Sequence, residues 1–127
     1  MRYLVFPILF FVGMAHAGDF SARAKAGKLA LSSPEGQQYE ASWGSVMQTT
    51  LPACIPLGST SPANLGKFTF VADVSPSGLV SSVEVEPSTA VSRCFALHFS
   101  GAHLPPPPTS PKADALFPIA DDIKVVP

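Results

Sequence analysis

Apolar and polar residues alternate most regularly between residues 68 and 86. From Phe68 to Val74 every second residue is apolar, and these residues share one side of the segment, which is typical of a half-buried β-strand. Residues 75–78 read Ser-Pro-Ser-Gly, a combination that favours a tight turn. Beyond the turn, Leu79, Val83 and Val85 recur on one side and polar residues on the other. The stretch therefore predicts a β-hairpin.

A helical pattern precedes the hairpin. Ser33, Pro34 and Glu35 provide a hydroxyl N-cap, a first-turn proline and an acidic residue at the positive end of the helix dipole. Apolar residues then recur every three or four positions as far as Pro52, which cannot continue a helix. This predicts one amphipathic helix of about four turns. Trp43 lies on its apolar stripe, where we expect a core residue rather than a ligand-binding surface.

A second helix is predicted after the hairpin. Pro87 ends the second strand, and Ser88 or Thr89 can cap the helix that follows. Gly101 lets this helix finish, and the prolines at 105–108 then form a short rigid spacer. The predicted buried face of the helix carries Val91, Cys94, Phe95, His98 and Phe99.

The remaining segments contain one more strand. Residues 119–125 alternate in character and predict a third strand, bounded by Pro118 and Pro127. Residues 18–33 are small, polar and mildly basic without a clear period, and we expect them to form a loose N-terminal segment. Residues 53–67 are rich in proline, glycine and hydroxyl side chains, which indicates a connecting loop.

The element order helix–strand–strand–helix–strand predicts an α+β fold. The hairpin makes strands 1 and 2 antiparallel, and the helical crossover returns strand 3 parallel to strand 2. An antiparallel sheet therefore requires strand 3 beside strand 1, in the order 2-1-3. Both helices would cover one face, giving a two-layer sandwich in a single domain over residues 34–127. The predicted shared core contains Phe68, Phe70, Val83, Val85, Phe95 and Ile123.

Residues 1–17 are predicted to be a cleaved signal peptide. Arg2 gives a short basic start, residues 4–12 form an apolar run, and Ala15-His16-Ala17 gives a small-x-small cleavage site. An uncleaved anchor is the alternative, but a membrane helix needs about 20 apolar residues, more than this run contains. Without these 17 residues, 110 of the 127 remain, which suits one domain with no stable membrane insertion.

The charge balance argues against nucleic acid as a partner. Once Arg2 is removed with the signal, seven basic and nine acidic residues remain, a net charge of −2. A chain with this balance has no basic surface for nucleic acid or acidic lipid.

The chain has two cysteines, Cys54 and Cys94. Export makes a disulfide between them the expected state. Closing a loop of about 40 residues should stabilise the fold by roughly 4 kcal/mol in the chain-entropy description. A reactive thiol or a metal-binding pair is the alternative, but neither cysteine lies in a CxxC motif or near clustered histidines.

These elements together resemble the C-terminal domain of the TonB energy transducers and their periplasmic relatives. The similarity covers about residues 66–126 and rests on the strand 68–74, the sequence Ser-Pro-Ser-Gly-Leu-Val-Ser-Ser-Val-Glu-Val at 75–85, Pro87-Ser88-Thr89, the helix through Cys94 and Phe95, the proline run and the last strand. The resemblance implies the 2-1-3 sheet and a habit of binding protein segments, and Cys94 looks similar to a helix cysteine that some members join to an upstream cysteine. A true transducer keeps a membrane helix and a long proline-rich arm, so only the binding habit is expected here.

No catalytic arrangement is evident, and we expect neither enzyme activity nor a cofactor. The chain has no GxSxG motif, phosphate-binding loop or dinucleotide fingerprint. His98 and His103 are five residues apart, whereas metal ligands on one helix face are three or four apart, so no metal site is expected. Asp121 and Asp122 are neighbours on a strand and should point to opposite faces.

Two functions fit these features. The first is a periplasmic module that binds a segment of another envelope protein along the free edge of the third strand. The residues expected at this edge are Ile119, Asp121, Asp122, Ile123, Lys124 and Val125. The second is a periplasmic inhibitor, such as an immunity protein, that blocks a toxin or enzyme with the proline segment at 105–111. The resemblance favours the first function, and an extracellular location is the alternative to the periplasm.

Overall fold

The computed structural model describes residues 17–55, 65–108 and 115–126. The predicted signal peptide therefore lies outside the described residues, except for Ala17. In chain order the regular elements are α1 (Ala17–Ala30), α2 (Pro34–Ala41), α3 (Gly44–Thr50), a 3₁₀ turn (Pro52–Cys54), β1 (Gly66–Val74), β2 (Val80–Glu86), α4 (Ala90–Phe99) and β3 (Phe117–Val125).

The sheet has the predicted architecture. Its three strands are antiparallel and ordered β2-β1-β3. β3 begins at Phe117, two residues before the predicted start at Ile119, and pairs with β1 from Phe117↔Val74 to Val125↔Gly66. The α+β class and the strand order inferred from the hairpin and the crossover are thus confirmed.

A β-bulge in β2 changes which residues of this strand face the core. The register with β1 shifts between Val71 and Asp73, and Ser82 in β2 has a φ of 54°, in the left-handed region. The extra residue places Val80 in the core at 1% exposure, whereas Leu79 is 40% exposed. The prediction that Leu79 shares a face with Val83 and Val85 was therefore wrong, because strict alternation does not anticipate a bulge.

The helix predicted from Pro34 to Thr50 is divided into α2 and α3. Ser33 caps α2 as predicted, with its hydroxyl accepting a hydrogen bond from the N–H of Gly36 at 3.0 Å. The break lies at Trp43, whose side chain is 1% exposed and packs near the rings of other aromatic residues. Ser42 and Gly44, both weak helix formers, flank Trp43 and let the chain turn there. Trp43 is a core residue, as expected.

The core lies between the sheet and the helices α2, α3 and α4. Phe68, Phe70 and Phe95 are buried, and the phenyl rings of Phe70 and Phe95 have centroids 5.2 Å apart. Val83, Val85 and Ile123 are partly buried against the same cluster, so the predicted core is confirmed. Thr89 caps α4 through a reciprocal pair of hydrogen bonds with Ser92.

The segment expected to be a loose lead-in is instead the helix α1. Phe20 packs with Val71 and Ala120, which point away from the main core, so α1 covers the opposite face of the sheet. A Cβ atom at Gly27 would lie 2.5 Å from the backbone of Ile119 and Ala120, so this helix approaches β3 very closely. The two predicted helical regions do share one face, and α1 adds a third layer.

None of the helices in the described part of the chain is both long and apolar enough to cross a membrane.

Candidate functional site

The outer edge of β3 is the site that the sequence suggested. β3 pairs with β1 along one side, and within residues 17–55, 65–108 and 115–126 no strand pairs with its other side. β3 is therefore an edge strand of the described sheet, the kind of strand to which another strand can be added. Ile119 belongs to the core at 0% exposure, whereas Asp122 and Lys124 are exposed and the intervening Ile123 is partly buried.

The start of β3 is close to the connection between α1 and α2. Lys28 of α1 binds Asp122 from one face of the sheet, whereas Tyr39 of α2 packs on Phe117 from the other. Only residues 31–33 join the two helices, so this connection crosses from face to face beside β3. The part of the candidate edge that lies away from this crossing is residues 122–126, which we call the distal edge.

Asp122 anchors the distal edge to its neighbours. Its carboxylate accepts a hydrogen bond from the Lys28 ammonium at 2.9 Å and another from the Thr69 hydroxyl. These hydrogen bonds, Thr69 first, lower the pKa of Asp122 below its usual value. Lys124 lies on the same face of β3 and forms no ion pair with the described residues. The distal edge thus presents one cation that could meet a partner's anion.

Asp121 points to the opposite face from Asp122, as the alternation of a strand requires. It lies beside Glu40 of α2, and the pKa of Glu40 is raised by burial first, then by its hydrogen bond to Asp121 and by repulsion from that carboxyl. Among the described residues, no histidine, cysteine or third acid is grouped with these two carboxyl groups closely enough to hold a metal ion. Their closeness instead affects the pH dependence of stability.

The outer edge of β2 is less regular than that of β3. At its start, the N–H of Val80 donates to the carbonyl of Ala102 at 3.0 Å, and Leu79 forms an antiparallel bridge with His103. The bulge at Ser82 interrupts the strand two residues later. Coverage by another segment and a β-bulge both hinder the pairing of a further strand along an edge, and β2 has both. β3 is therefore the better candidate for strand addition.

The cysteines meet as predicted, and a histidine joins them. Cys54 and Cys94 form a disulfide with their Cα atoms 5.6 Å apart. His98 follows Cys94 by one turn of α4, and one of its ring nitrogens and both sulfur atoms lie within 4.8 Å of one another. The sequence pattern placed His98 with Cys94 on the buried face of this helix, but the His98 side chain is exposed. The four-residue spacing between the two residues was a usable signal of a shared site.

The proline segment is attached to the core at its beginning. The Tyr39 hydroxyl donates to the carbonyl of Pro105 at 2.7 Å, and the N–H of Leu104 donates to the carbonyl of Gly78 at 2.9 Å. Burial raises the pKa of Tyr39 to about 12, so this hydroxyl stays protonated as a donor. Pro105 and Pro106 are exposed. Residues 109–111, the rest of the predicted loop, lie outside the described residues.

The disulfide points to an oxidising, exported location for the protein. Comparison with known proteins adds no family, because no protein-family model, no curated protein and no solved structure matches this chain.

Proposed function

We propose that this protein is a non-catalytic binding module of the periplasm that holds an extended segment of another envelope protein along the distal edge of β3. The observation that carries the proposal is that β3 has a regular ladder with β1 and no strand on its outer side among the described residues. Main-chain hydrogen bonds along such an edge supply affinity, and alternate side chains supply specificity.

The chemistry of the distal edge restricts the partner. Asp122 is already bound to Lys28 and Thr69. The charges available on that face are therefore the cations Lys124 and Lys67, its partner across the ladder on β1. On the other face, Ile123 and Val125 are partly buried at the rim of the core. We therefore expect a partner strand with an acidic residue opposite Lys124 and apolar residues on the alternate positions.

The resemblance to the C-terminal domain of TonB proteins supports the same proposal. The resemblance implies a sheet in the order 2-1-3, and this chain has that order. It also implies a habit of binding protein segments, and the order 2-1-3 leaves the third strand at an edge of the sheet where such a segment could pair. The signal peptide predicted at residues 1–17 would deliver the module to the periplasm.

A pair of neighbouring proline substitutions tests strand addition. Consecutive N–H groups of an antiparallel strand point to opposite sides. Lys124→Pro and Val125→Pro therefore each remove one N–H, and only one of the two N–H groups bonds to β1. Loss of the N–H that bonds to β1 should destabilise the sheet. The variant whose thermal unfolding matches that of the wild type has therefore lost the N–H that points outward.

The readout is affinity for a partner captured from envelope extract and then purified. We expect the proline variant with wild-type stability to bind the partner at least tenfold more weakly. Lys124→Ala keeps the main-chain N–H, so it should lose only the contribution of the lysine charge to affinity. If the stable proline variant binds the purified partner as tightly as the wild type does, edge pairing is wrong.

An inhibitor is the second candidate, favoured by the attachment of the proline segment. Leu104 is buried and Pro105 is held by Tyr39, so exposed Pro105 and Pro106 project from a firm base. Rigid loops of this kind lose little entropy on binding. Pro106→Ser should weaken partner binding in this case, whereas the β3 substitutions should leave it unchanged.

A further inference from the structure

The disulfide and the histidine beside it make up a set of metal-ligating atoms that the binding-module proposal does not use. The two Sγ atoms and one ring nitrogen of His98 all lie within 4.8 Å of one another. Thiolate and imidazole are the ligands that soft closed-shell cations prefer. In the oxidised protein the sulfur atoms are bonded to each other and cannot act as thiolates.

We propose that Cys54, Cys94 and His98 form a redox-gated site that binds one soft cation, Cu⁺ in preference to Zn²⁺, once the disulfide is reduced. A set of three protein ligands suits a three-coordinate Cu⁺, whereas Zn²⁺ would need a fourth ligand from water. This inference does not depend on the proposed binding at β3, because the two cysteines and His98 lie on the 3₁₀ turn and on α4 rather than on the sheet.

Two of the three ligands are held by packing that is independent of the disulfide. Cys94 and His98 are four residues apart on α4, so their side chains share a face. α4 is capped by Thr89 and buried through Phe95 and Phe99, which are both 0% exposed. These contacts keep the thiol and the imidazole together when the sulfur–sulfur bond is broken.

The third ligand is on the 3₁₀ turn that ends at Cys54. Leu51 and Ile55, on either side of this turn, pack against the main core. In a metal site with metal–sulfur bonds of about 2.3 Å, the two sulfurs stand roughly 4 Å apart. Rotation of the cysteine side chains over Cα atoms 5.6 Å apart can provide this separation.

The chemistry requires an external dithiol as the reductant. A thiolate of the dithiol attacks one sulfur of the disulfide, forms a mixed disulfide and releases the other cysteine thiolate. The second thiol of the reductant then displaces the protein, so that the dithiol loses two electrons and the two cysteines gain them. Metal binding releases the thiol protons, and neutral His98 donates a nitrogen lone pair.

Anaerobic titration of the full mature chain tests the site. The protein is reduced with a dithiol, the reagent is removed by anaerobic desalting, and Cu⁺ is then titrated in competition with a chromophoric chelator, with Zn²⁺ in a parallel titration. We expect one Cu⁺ per reduced chain, bound more tightly than Zn²⁺, and no tight uptake by the oxidised protein. His98→Ala should weaken Cu⁺ binding at least tenfold. His103→Ala is the matched control, because His103 is also exposed but its backbone forms a β-bridge with Leu79, away from the cysteines. This variant should bind Cu⁺ like the wild type.

Near-ultraviolet circular dichroism of the same samples shows whether the metal binds to the folded chain. A native spectrum in the reduced, metal-loaded protein supports the proposal. The proposal is overturned if His98→Ala binds Cu⁺ as tightly as the wild type, if the reduced chain takes up no metal, if Zn²⁺ binds more tightly, or if the loaded chain lacks the native spectrum.

Discussion

Arg23 of α1 donates a hydrogen bond to the carbonyl oxygen of Ser82 at 2.7 Å. Ser82 is the bulge residue of β2, so the bond joins the N-terminal helix to the irregular point of the strand. The same guanidinium lies 3.4 Å from the carboxylate of Asp73 and 3.5 Å from that of Glu84. One side chain thus satisfies a displaced carbonyl and places a cation between two acids on the face of the sheet that α1 covers.

Replacing Arg23 should loosen α1 from the sheet. We expect Arg23→Gln to lower the free energy of unfolding by about 1–2 kcal/mol, because a hydrogen bond from a charged group is lost and two acids lose their cation. Lys25→Gln, at an exposed position on the same helix, should change it by less than about 0.5 kcal/mol. Urea denaturation of both variants measures the difference, and equal losses would contradict the assignment.

The close approach of α1 to β3 should not tolerate a side chain at Gly27. A Cβ atom there would lie 2.5 Å from the backbone of Ile119 and Ala120, so Gly27→Ala should destabilise the fold by about 1–3 kcal/mol. Gly44→Ala is the control, because no atom lies within 4 Å of its Cβ position, and it should be neutral or slightly stabilising. Thermal unfolding compares the two. A Gly27→Ala protein as stable as the wild type would show that α1 does not pack on β3 in this way.

Phe70 should be among the most costly core residues to truncate. Its side chain is 0% exposed and lies between Trp43, Phe95 and Phe99, with ring centroids 5.2 to 6.4 Å away. Phe70→Ala should cost about 3–5 kcal/mol through lost burial and the cavity that remains. Leu97→Ala, at a site 77% exposed, should stay within about 0.5 kcal/mol. A loss below about 1 kcal/mol for Phe70→Ala in denaturant melts would refute the assignment of this sheet face.

The Glu40–Asp121 pair predicts a gain in stability on neutralising Glu40. Because the pKa of Glu40 is raised on folding, its favourable contribution is present at acidic pH and is lost as the pH rises through the folded-state pKa. Glu40→Gln should therefore raise the melting temperature at pH 7, and the gain should disappear in acid, where Glu40 is protonated. Glu35→Gln, in the exposed first turn of α2, should show no such gain. A Glu40→Gln advantage that is independent of pH would contradict this explanation.

Much of the fold could be predicted because its main elements each bury one face. Alternation from Phe68 to Val74, and helical spacing around Phe95, follow directly from which side chains leave water. Local signals such as the cap at Thr89 act over three residues and need no tertiary information. The hairpin and crossover rules then left one antiparallel strand order, which the structure has.

The contacts of α1 were decided by tertiary structure. Its inner face is formed by Phe20, Ala24 and Gly27, which follow helical spacing but are mostly too small to register as a hydrophobic pattern. Small residues on this helix contribute to stability by permitting its close approach to Ala120. The size of that contribution depends on the shape of the surface against which the helix packs. The same reasoning applies to the bulge at Ser82, whose carbonyl needs Arg23 from a distant part of the chain.

The candidate sites divide in the same way. The sequence by itself placed Asp121 and Asp122 on opposite faces of a final strand and paired Cys54 with Cys94, because strand periodicity and an oxidising compartment are sufficient for those inferences. The sequence also placed His98 on the same helix face as Cys94, but the packing of separate elements was needed to bring the Cys54 sulfur beside His98 and to set the α1–α2 connection beside the start of β3. Those arrangements depend on how separate elements pack, and packing is a property of surfaces that meet across long sequence distances rather than of any local pattern.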